Sequence, residues 1–278
     1  MQRRNILARA LGASVLAALV APGLAWADRL DDVKKAGVLR VAAFDGNPPF
    51  GFIDAQSKQQ VGHDIDLARA FAQSLGVKLE LIPTNPANRI PLITSGKADV
   101  VFASFTITDE RAKVVDFSTP YFLVGQQFLA RKGVLTSVEQ VKTLRVGTEK
   151  GTTMESNLRT NFPDAKVVLY DDSPFALAAL RNGNVQAISN DGVKLTAQWN
   201  QLPDKDKYEI PPITVSKEYL GAAVPKGEAR LLETLNSWLL DIERSGQAVA
   251  IYNQWFGPQS QAPLPRLLKI GEQRVAAR

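Results

Sequence analysis

The amino-acid sequence predicts an α/β protein with two lobes, each built on a largely parallel β-sheet. Short apolar runs typical of strands alternate with amphipathic stretches typical of helices. This alternation begins twice, once near residue 38 and again near residue 145. The chain contains no cysteine, so disulfides and thiolate metal sites contribute nothing to the fold.

The first series begins with a strand over Val38–Phe44. Asp64 is the expected N-cap of a helix over residues 65–75, whose apolar residues recur at helical spacing and which ends at Gly76. A strand over 77–82, a short helix over 89–95 and a continuously apolar strand over 99–103 follow.

The second series contains three predicted strands, at 145–147, 167–170 and 187–189. A helix follows each of them: one over 151–162, one that begins at 172 or 173 and ends at 182, and one that begins after residue 192. Two β-like crossovers are expected at 122–131 and 216–224, and two C-terminal helices, 228–245 and 247–256, are expected to return to the first lobe. Lobe 1 is then 28–123 with 221–257, lobe 2 is 124–220, and 258–278 form a basic C-terminal tail.

Residues 1–27 have the pattern of a signal peptide. Three arginines precede an apolar run over 10–20, and Ala25-Trp26-Ala27 resembles a cleavage site. The run is shorter than the roughly 20 residues of a membrane-spanning helix. Arg3-Arg4 leaves both general secretion and twin-arginine export open. The mature chain is therefore expected in the periplasm.

Charge and composition exclude several classes of function. The net charge of +5 falls to +2 without the signal peptide. The tail alone carries +3, so the body is about −1 and its charge does not indicate a nucleic-acid-binding face. His63 is the only histidine, which excludes a histidine-rich metal site. We expect no metal, no cofactor and no catalytic residue, and a protein that acts as a monomer.

A polar loop follows the apolar strand at 99–103. Ser104, Thr106 and Thr108 lie in this loop, and a helix that carries Arg111 begins near Asp109. Ligands of open α/β sheets bind beyond the carboxyl ends of the strands, and a guanidinium with hydroxyl and N–H donors suits a carboxylate. The residues alone leave a second interpretation open, in which the threonines cap helices and Arg111 is a surface residue.

The segments TITDER and VVDFSTPYF, at 106–111 and 114–122, resemble the signature of the polar-amino-acid solute-binding proteins of bacterial ABC importers. Further segments agree in order, namely PPFGF at 48–52, GHDIDLARAF at 62–71, SGKADVV at 95–101, KGTT at 150–153 and LGAAVPKG at 220–227. The resemblance implies a type II periplasmic-binding-protein fold, with an amino acid held in a cleft between the lobes and delivered to a membrane permease.

The resemblance also implies roles for individual residues. Three residues of lobe 1 would bind the ligand. Arg111 and Thr106 would contact its α-carboxylate, and Ser104 would face the ligand beside them. From lobe 2, the backbone N–H groups of Thr152 and Thr153 at a helix start would close over the same carboxylate. Asp191 would accept the α-ammonium. The segment GTEKGTT lacks the residue order of a phosphate-binding P-loop.

Two positions bear on ligand identity. Asn47 stands where many members have an aromatic ring over the ligand, and Pro86 stands where many have phenylalanine. Arg89 resembles the arginine that glutamate- and aspartate-selective members direct at the side-chain carboxylate, so glutamate or aspartate is the predicted ligand. Arg89 in a structural ion pair is the alternative, and glutamine or another polar amino acid is then the ligand.

An enzyme on the same scaffold is the rival hypothesis. Cyclohexadienyl dehydratases resemble these binding proteins and need a general acid in the cleft. Glu149 or Asp191 would be the candidate for that role in this chain.

Overall fold

Two five-stranded β-sheets form the framework of the computed structural model, which describes residues 28–272. The predicted signal peptide and residues 273–278 lie outside the described residues. The helices are α1 Arg29–Ala36, α2 His63–Ser74, α3 Arg89–Thr94, α4 Asp109–Ala112, α5 Thr153–Asn161, α6 Ser173–Arg181, α7 Gly192–Gln201, α8 Ala229–Arg244 and α9 Gln247–Phe256. Short 3₁₀ helices cover Pro86–Asn88, Val138–Thr143 and Lys205–Lys207.

The strands follow the same chain order. They are β1 Val38–Phe44, β2 Gly46–Asn47, β3 Gly51–Ile53, β4 Gln60–Val61, β5 Lys78–Thr84, β6 Val100–Val101, β7 Val115–Phe117, β8 Phe122–Val124, β9 Gln126–Arg131, β10 Arg145–Glu149, β11 Lys166–Tyr170, β12 Ala187–Asp191, β13 Tyr208–Glu209, β14 Glu218–Leu220 and β15 Ala223–Pro225.

The first sheet has the order β5-β1-β6-β15-β7. β1 pairs in parallel with β5 and β6, whereas β15 pairs antiparallel with β6 and β7. Leu39, Val41 and Phe102 are fully buried among residues of α2 and α8 on one side of this sheet, and Ala42 and Val101 pack against α3 on the other. Apolar residues on both faces give the near-continuous apolar strands seen in the sequence.

The second sheet has the order β11-β10-β12-β9-β13. Its four pairings repeat the plan of the first sheet, since β10 is parallel to β11 and β12, and β9 is antiparallel to β12 and β13. Helices α5, α6 and α7 supply its covering apolar residues together with Val141 and Leu135. Both sheets are therefore mixed, because the crossover strands β9 and β15 run antiparallel to their neighbours.

Two connections join the sheets. The chain passes from the first sheet to the second through β8 and β9, and it returns through β14 and β15. β8 and β14 pair antiparallel, with Leu123 opposite Tyr219, and so form a two-stranded hinge between the sheets. The two-lobed architecture with two crossovers is the predicted one, while the residue boundaries given to each lobe remain a proposal.

The start of α2 differs from the prediction. Gly62 occupies the N-cap position, with φ of 139°, and Asp64 lies inside the first turn, 1% exposed. A side chain at residue 62 would meet the carbonyl of Phe50 at 2.3 Å, so the close approach there requires glycine. Asp64 is thereby free to contact the polar loop that follows β6.

The described part of the C-terminal tail packs against the body of the protein. Arg266 forms an ion pair with Glu243 on α8, and the Tyr252 hydroxyl donates to the Leu264 carbonyl at 3.2 Å. Gln261 accepts a hydrogen bond from Asn200 on α7 at 2.8 Å. The tail as far as residue 272 therefore contacts helices that pack on both sheets, α8 on the first and α7 on the second.

Among residues 28–272, no helix is long and apolar enough to cross a membrane. The same residues contain no group of three or more histidine and acidic side chains placed to hold a metal ion.

Candidate functional site

A small cleft lies between the two sheets. On one side are the carboxyl ends of β1 and β6 of the first sheet, and on the other are the starts of helices α5 and α7, which pack on the second sheet. The space between its lining residues, counted out to where the cleft opens to solvent, is about 220 Å³. Seven of the eight predicted site residues line it, together with four residues that were not predicted as ligand contacts: Arg89, Ser104, Thr106, Arg111, Thr152, Thr153 and Asp191, with Phe44, Pro86, Met154 and Lys194. Asn47, the eighth, is buried nearby but outside this lining.

Ser104 is held in an unusual backbone conformation at the end of β6. Its φ of 45° is sparsely populated for a residue with a side chain. The Ser104 N–H donates to Asp64 Oδ2 at 2.6 Å, and its hydroxyl donates to Asp191 Oδ2 across the cleft at 3.3 Å. The buried Asp64 carboxylate therefore fixes the loop that presents the predicted carboxylate-binding groups.

Arg111 lies in the first turn of α4, where Thr108 is the N-cap and accepts a hydrogen bond from the Arg111 N–H. The guanidinium donates to the Thr106 carbonyl at 2.8 Å and to the Gly151 carbonyl of the other lobe at 3.0 Å. Burial lowers the pKa of Arg111 to about 10, against the opposing effect of the Glu218 carboxylate. Arg111 therefore remains a cation at neutral pH and keeps donors on its cleft side.

Arg89 is buried on a short helix, but backbone carbonyls take most of its donors. Its guanidinium donates to the carbonyls of Pro86, Ala103 and Ser104 at 3.0 to 3.1 Å, and to that of Gly151 at 3.3 Å. Four of its five N–H groups are thus engaged. These partners are neutral carbonyls, so the structure gives Arg89 no ion pair among the described residues, and its contact with a ligand stays a prediction. Arg89 positions the Ser104 loop and Gly151.

The start of α5 faces the cleft from the second lobe. Thr152 is the N-cap, and its hydroxyl accepts from the Glu155 N–H at 3.3 Å and donates to the Glu149 carbonyl at 2.6 Å. A helix start presents unpaired N–H groups and a favourable dipole to an anion. The N–H groups of Thr152 and Thr153 donate none of the loop and cap hydrogen bonds between backbone groups of the described chain, and their contact with a ligand carboxylate stays a prediction.

Asp191 ends β12 and lies between two donors. Its Oδ2 is 3.1 Å from Lys194 Nζ and accepts from the Ser104 hydroxyl, whereas its Oδ1 is buried without a hydrogen-bond partner in the described chain. Burial raises the pKa of Asp191, and the Lys194 ammonium opposes that shift. Lys194 was not predicted, although its place three residues after Asp191 at a helix start puts both on one face.

Glu218 is a second charged residue that the sequence did not indicate. This buried carboxylate, on the hinge strand β14, accepts from Thr106 at 2.9 Å, from Thr153 at 2.5 Å and from Ser216 at 2.7 Å. The Thr106 hydroxyl, expected to bind the ligand carboxylate, therefore donates to Glu218 instead, and only the backbone of Thr106 remains for the predicted contact. Glu218 ties a threonine of each lobe to the hinge.

Four acidic groups lie close enough together near the start of α6 for their charges to interact. Burial, and then the carboxylates of Glu149, Asp45 and Asp171, raise the pKa of Asp172 to about 6. Asp172 is half-buried at the N-cap of α6 and makes no capping hydrogen bond with its side chain. Its charge is therefore unfavourable in the folded protein at neutral pH.

We expect Asp172→Asn to stabilise the protein at pH 8 by about 1 kcal/mol, because a shift of two units is worth up to ~3 kcal/mol before solvent screening. The folded-state pKa lies above the unfolded value of 3.8. The folded state thus binds more protons between these values, and stability falls as pH rises through them. Urea unfolding at pH 8 and pH 3.5 measures the gain. An equal gain at both pH values would contradict a charge effect, since asparagine also caps helices well.

Comparison with known proteins places this site in a family. Residues 39–258 match the model of the bacterial extracellular solute-binding proteins, family 3, and the chain belongs to that family. The L-cystine-binding protein TcyJ of Escherichia coli (strain K12) is 32% identical over 257 residues, which are 91% of this chain and 96% of that protein.

Two solved structures are similar to this chain in both sequence and fold. An ancestral arginine-binding protein bound to glutamine has 41% identity and a TM-score of 0.76, and the match covers 80% of this chain and 98% of that one. An ancestral amino-acid-binding protein, a precursor of cyclohexadienyl dehydratase, has 34% identity and a TM-score of 0.75 over 83% of this chain and 100% of that one. The predicted type II periplasmic-binding-protein fold is confirmed.

Proposed function

We propose that the mature protein captures a zwitterionic amino acid between its lobes in the periplasm and, acting as a monomer, delivers it to the membrane permease of an ABC importer. Family membership and the names of the relatives support an amino-acid ligand and an ABC importer. One structural observation carries the proposal most directly. Arg111 from one lobe and the unpartnered Oδ1 of Asp191 from the other line the same small cleft.

In this proposal the two charged groups of the ligand find opposite charges on opposite lobes. The α-carboxylate lies against Arg111 and the N–H groups of Thr152 and Thr153, and the α-ammonium lies against Asp191 Oδ1 and the Ser104 hydroxyl. Contacts with both lobes exist only when the cleft is closed, so the ligand stabilises the closed state by the free energy of those additional contacts.

The prediction of glutamate or aspartate has lost its structural support. It depended on a free guanidinium at Arg89, whose donors are instead engaged by four backbone carbonyls. The proposed ligand class is therefore the broader one, a polar amino acid.

Thermal unfolding of the mature protein against the twenty amino acids tests this function. We expect one group of amino acids to raise the melting temperature clearly, because a ligand bound only to the native state stabilises it by RT ln(1 + [L]/Kd). No shift with any amino acid would contradict the proposal. Turnover of arogenate in the same samples would instead support the dehydratase alternative, in which the buried Glu149 carboxyl is one candidate for the general acid.

A further inference from the structure

The segment that follows α9 contacts helices of both lobes. We call residues 259–272 the strap. The family match ends at residue 258, so the strap lies beyond the part of the chain that the family model describes. The strap is irregular in conformation, yet its residues Ala262, Leu268 and Ile270 are buried, with exposed fractions of 0%, 5% and 5%. It is therefore packed on the body of the protein along its length.

The strap is anchored on two helices of the first lobe. The Arg266 guanidinium donates to Oε1 of Glu243 on α8 at 2.9 Å, and the same carboxylate accepts from the Ile270 N–H at 3.2 Å. On α9, the Tyr252 hydroxyl donates to the Leu264 carbonyl at 3.2 Å. The Arg266–Glu243 pair is largely shielded from solvent, with side-chain exposures of 19% and 7%, so salt screens it less than a surface pair. This part of the strap therefore moves with the first lobe.

The beginning of the strap reaches α7, a helix of the second lobe. The Gln261 carbonyl accepts a hydrogen bond from Asn200 Nδ2 at 2.8 Å, and Gln261 Oε1 accepts from Gln201 Nε2 at 3.2 Å. We call these two hydrogen bonds the latch. Ala262, the next residue, belongs to the same buried apolar cluster as Val193 of α7. A hinge rotation that moved α7 away from the first lobe would break the latch, because the anchor holds the strap in place.

Helix α7 connects the latch to the cleft. Its start follows Asp191 and carries Lys194, both of which line the cleft, and its last residues donate the latch hydrogen bonds. A helix of ten residues is about 15 Å long and moves as one unit. The strap therefore restrains the outer end of the helix whose start forms the proposed ammonium position.

We propose that the strap is a closing device that holds α7 against the first lobe in the closed arrangement and thereby slows release of the ligand. This inference depends on the proposed amino-acid-binding function, since the closed arrangement is the one that would enclose the ligand. Contacts that exist in the closed state and are lost in the open state shift the equilibrium toward closure. The apparent affinity for a ligand of the closed state rises with the population of that state.

Asn200→Ala combined with Gln201→Ala removes both donors of the latch and leaves the lining of the cleft unchanged. We expect calorimetric titration to show about 3- to 10-fold weaker binding of the amino acid that gives the largest thermal shift, because exposed hydrogen bonds are individually weak. Stopped-flow measurements should show faster dissociation with unchanged association, since the latch acts in the closed complex.

Asn182→Ala combined with Asn184→Ala is the matched control, because both residues are exposed in the turn after α6 of the same lobe. It should change neither the affinity nor the rates. Unchanged or tighter binding by the folded latch variant would overturn the inference and leave the proposed function intact. Failure of the wild-type protein to bind any amino acid would count against the proposed function, and the inference would fall with it.

Arg266→Ala, which frees the strap from α8, is the second arm of the test. We expect a similar loss of affinity, and no further loss when it is combined with the latch variant, because both changes disable the same device. Lys269→Ala is its control, since Lys269 is an exposed cation that pairs with Glu272 inside the strap. Losses that add in full would mean that anchor and latch act independently and would overturn the inference. If Arg266→Ala does not fold, the latch variant alone decides the test.

Discussion

Replacement of Arg111 by alanine is expected to weaken amino-acid binding by about 100-fold or more. The Arg111 side chain is half-buried and lines the cleft. Removing one partner of a buried, hydrogen-bonded charge pair costs about 2–5 kcal/mol, because the other charge is left buried and unpaired. The ligand carboxylate would be that unpaired charge. Calorimetric titration with the preferred amino acid measures the loss.

Arg244→Ala is the control for this experiment, since Arg244 is exposed and, within residues 28–272, forms its ion pair with Asp241. It should leave the affinity unchanged. Arg111 also donates to Gly151 across the cleft, so thermal unfolding must show that the Arg111 variant is folded. Affinity within a few-fold of wild type in a folded variant would show that Arg111 does not hold the carboxylate.

Asp191→Asn is expected to lose binding to a similar extent and also to destabilise the protein by about 3–5 kcal/mol. The loss of binding follows because an amide cannot neutralise the ligand's ammonium. The loss of stability follows because Lys194, 4% exposed, would be left buried without its anion. Urea unfolding and titration with the preferred amino acid measure the two effects separately.

A double variant separates these two roles of Asp191. Asp191→Asn with Lys194→Met removes both buried charges, so we expect it to recover most of the lost stability. Binding should remain as weak as in the single variant, because the ligand's ammonium still has no counter-charge. Recovery of binding together with stability would mean that Asp191 serves only to neutralise Lys194.

Much of the fold could be predicted because hydrophobic periodicity reports strands and helices that are covered by a core. The first strand, Val38–Phe44, and the last helix, Gln247–Phe256, have the predicted bounds. The three-stranded sheet of β2, β3 and β4 could not be predicted in the same way, because strands of two or three residues carry no measurable alternation. Helix α1 was missed because its polar sequence RLDDVKKA has only two buried residues.

The candidate site was predictable where a residue's role follows from its position at the end of an element. Ser104 after β6, Thr152 at the start of α5 and Asp191 at the end of β12 all line the cleft. Arg89 shows the limit of that reasoning. Its engagement depends on where four carbonyls point, which is a property of the folded loops and not of the residue pattern.

Glu218 and Lys194 show a second limit. Glu218 accepts from Thr106 and Thr153, which are distant in sequence, as well as from the nearby Ser216. Lys194 forms its ion pair with Asp191, three residues before it. The sequence marks both as ordinary charged residues of a crossover strand and a helix. Only the closed arrangement of the lobes shows that Glu218 bonds a threonine on each side of the cleft, and that Lys194 lies over the rings of Phe44 and Phe50.

The most direct test of zwitterion capture compares two ligands on the unmodified mature protein. One is the amino acid that gives the largest thermal shift, and the other is the amine that remains when its α-carboxylate is removed. Calorimetric titration should show at least about 100-fold weaker binding of the amine, because Arg111 and the start of α5 would lose their anion. Equal affinity for both ligands would contradict capture through the α-carboxylate.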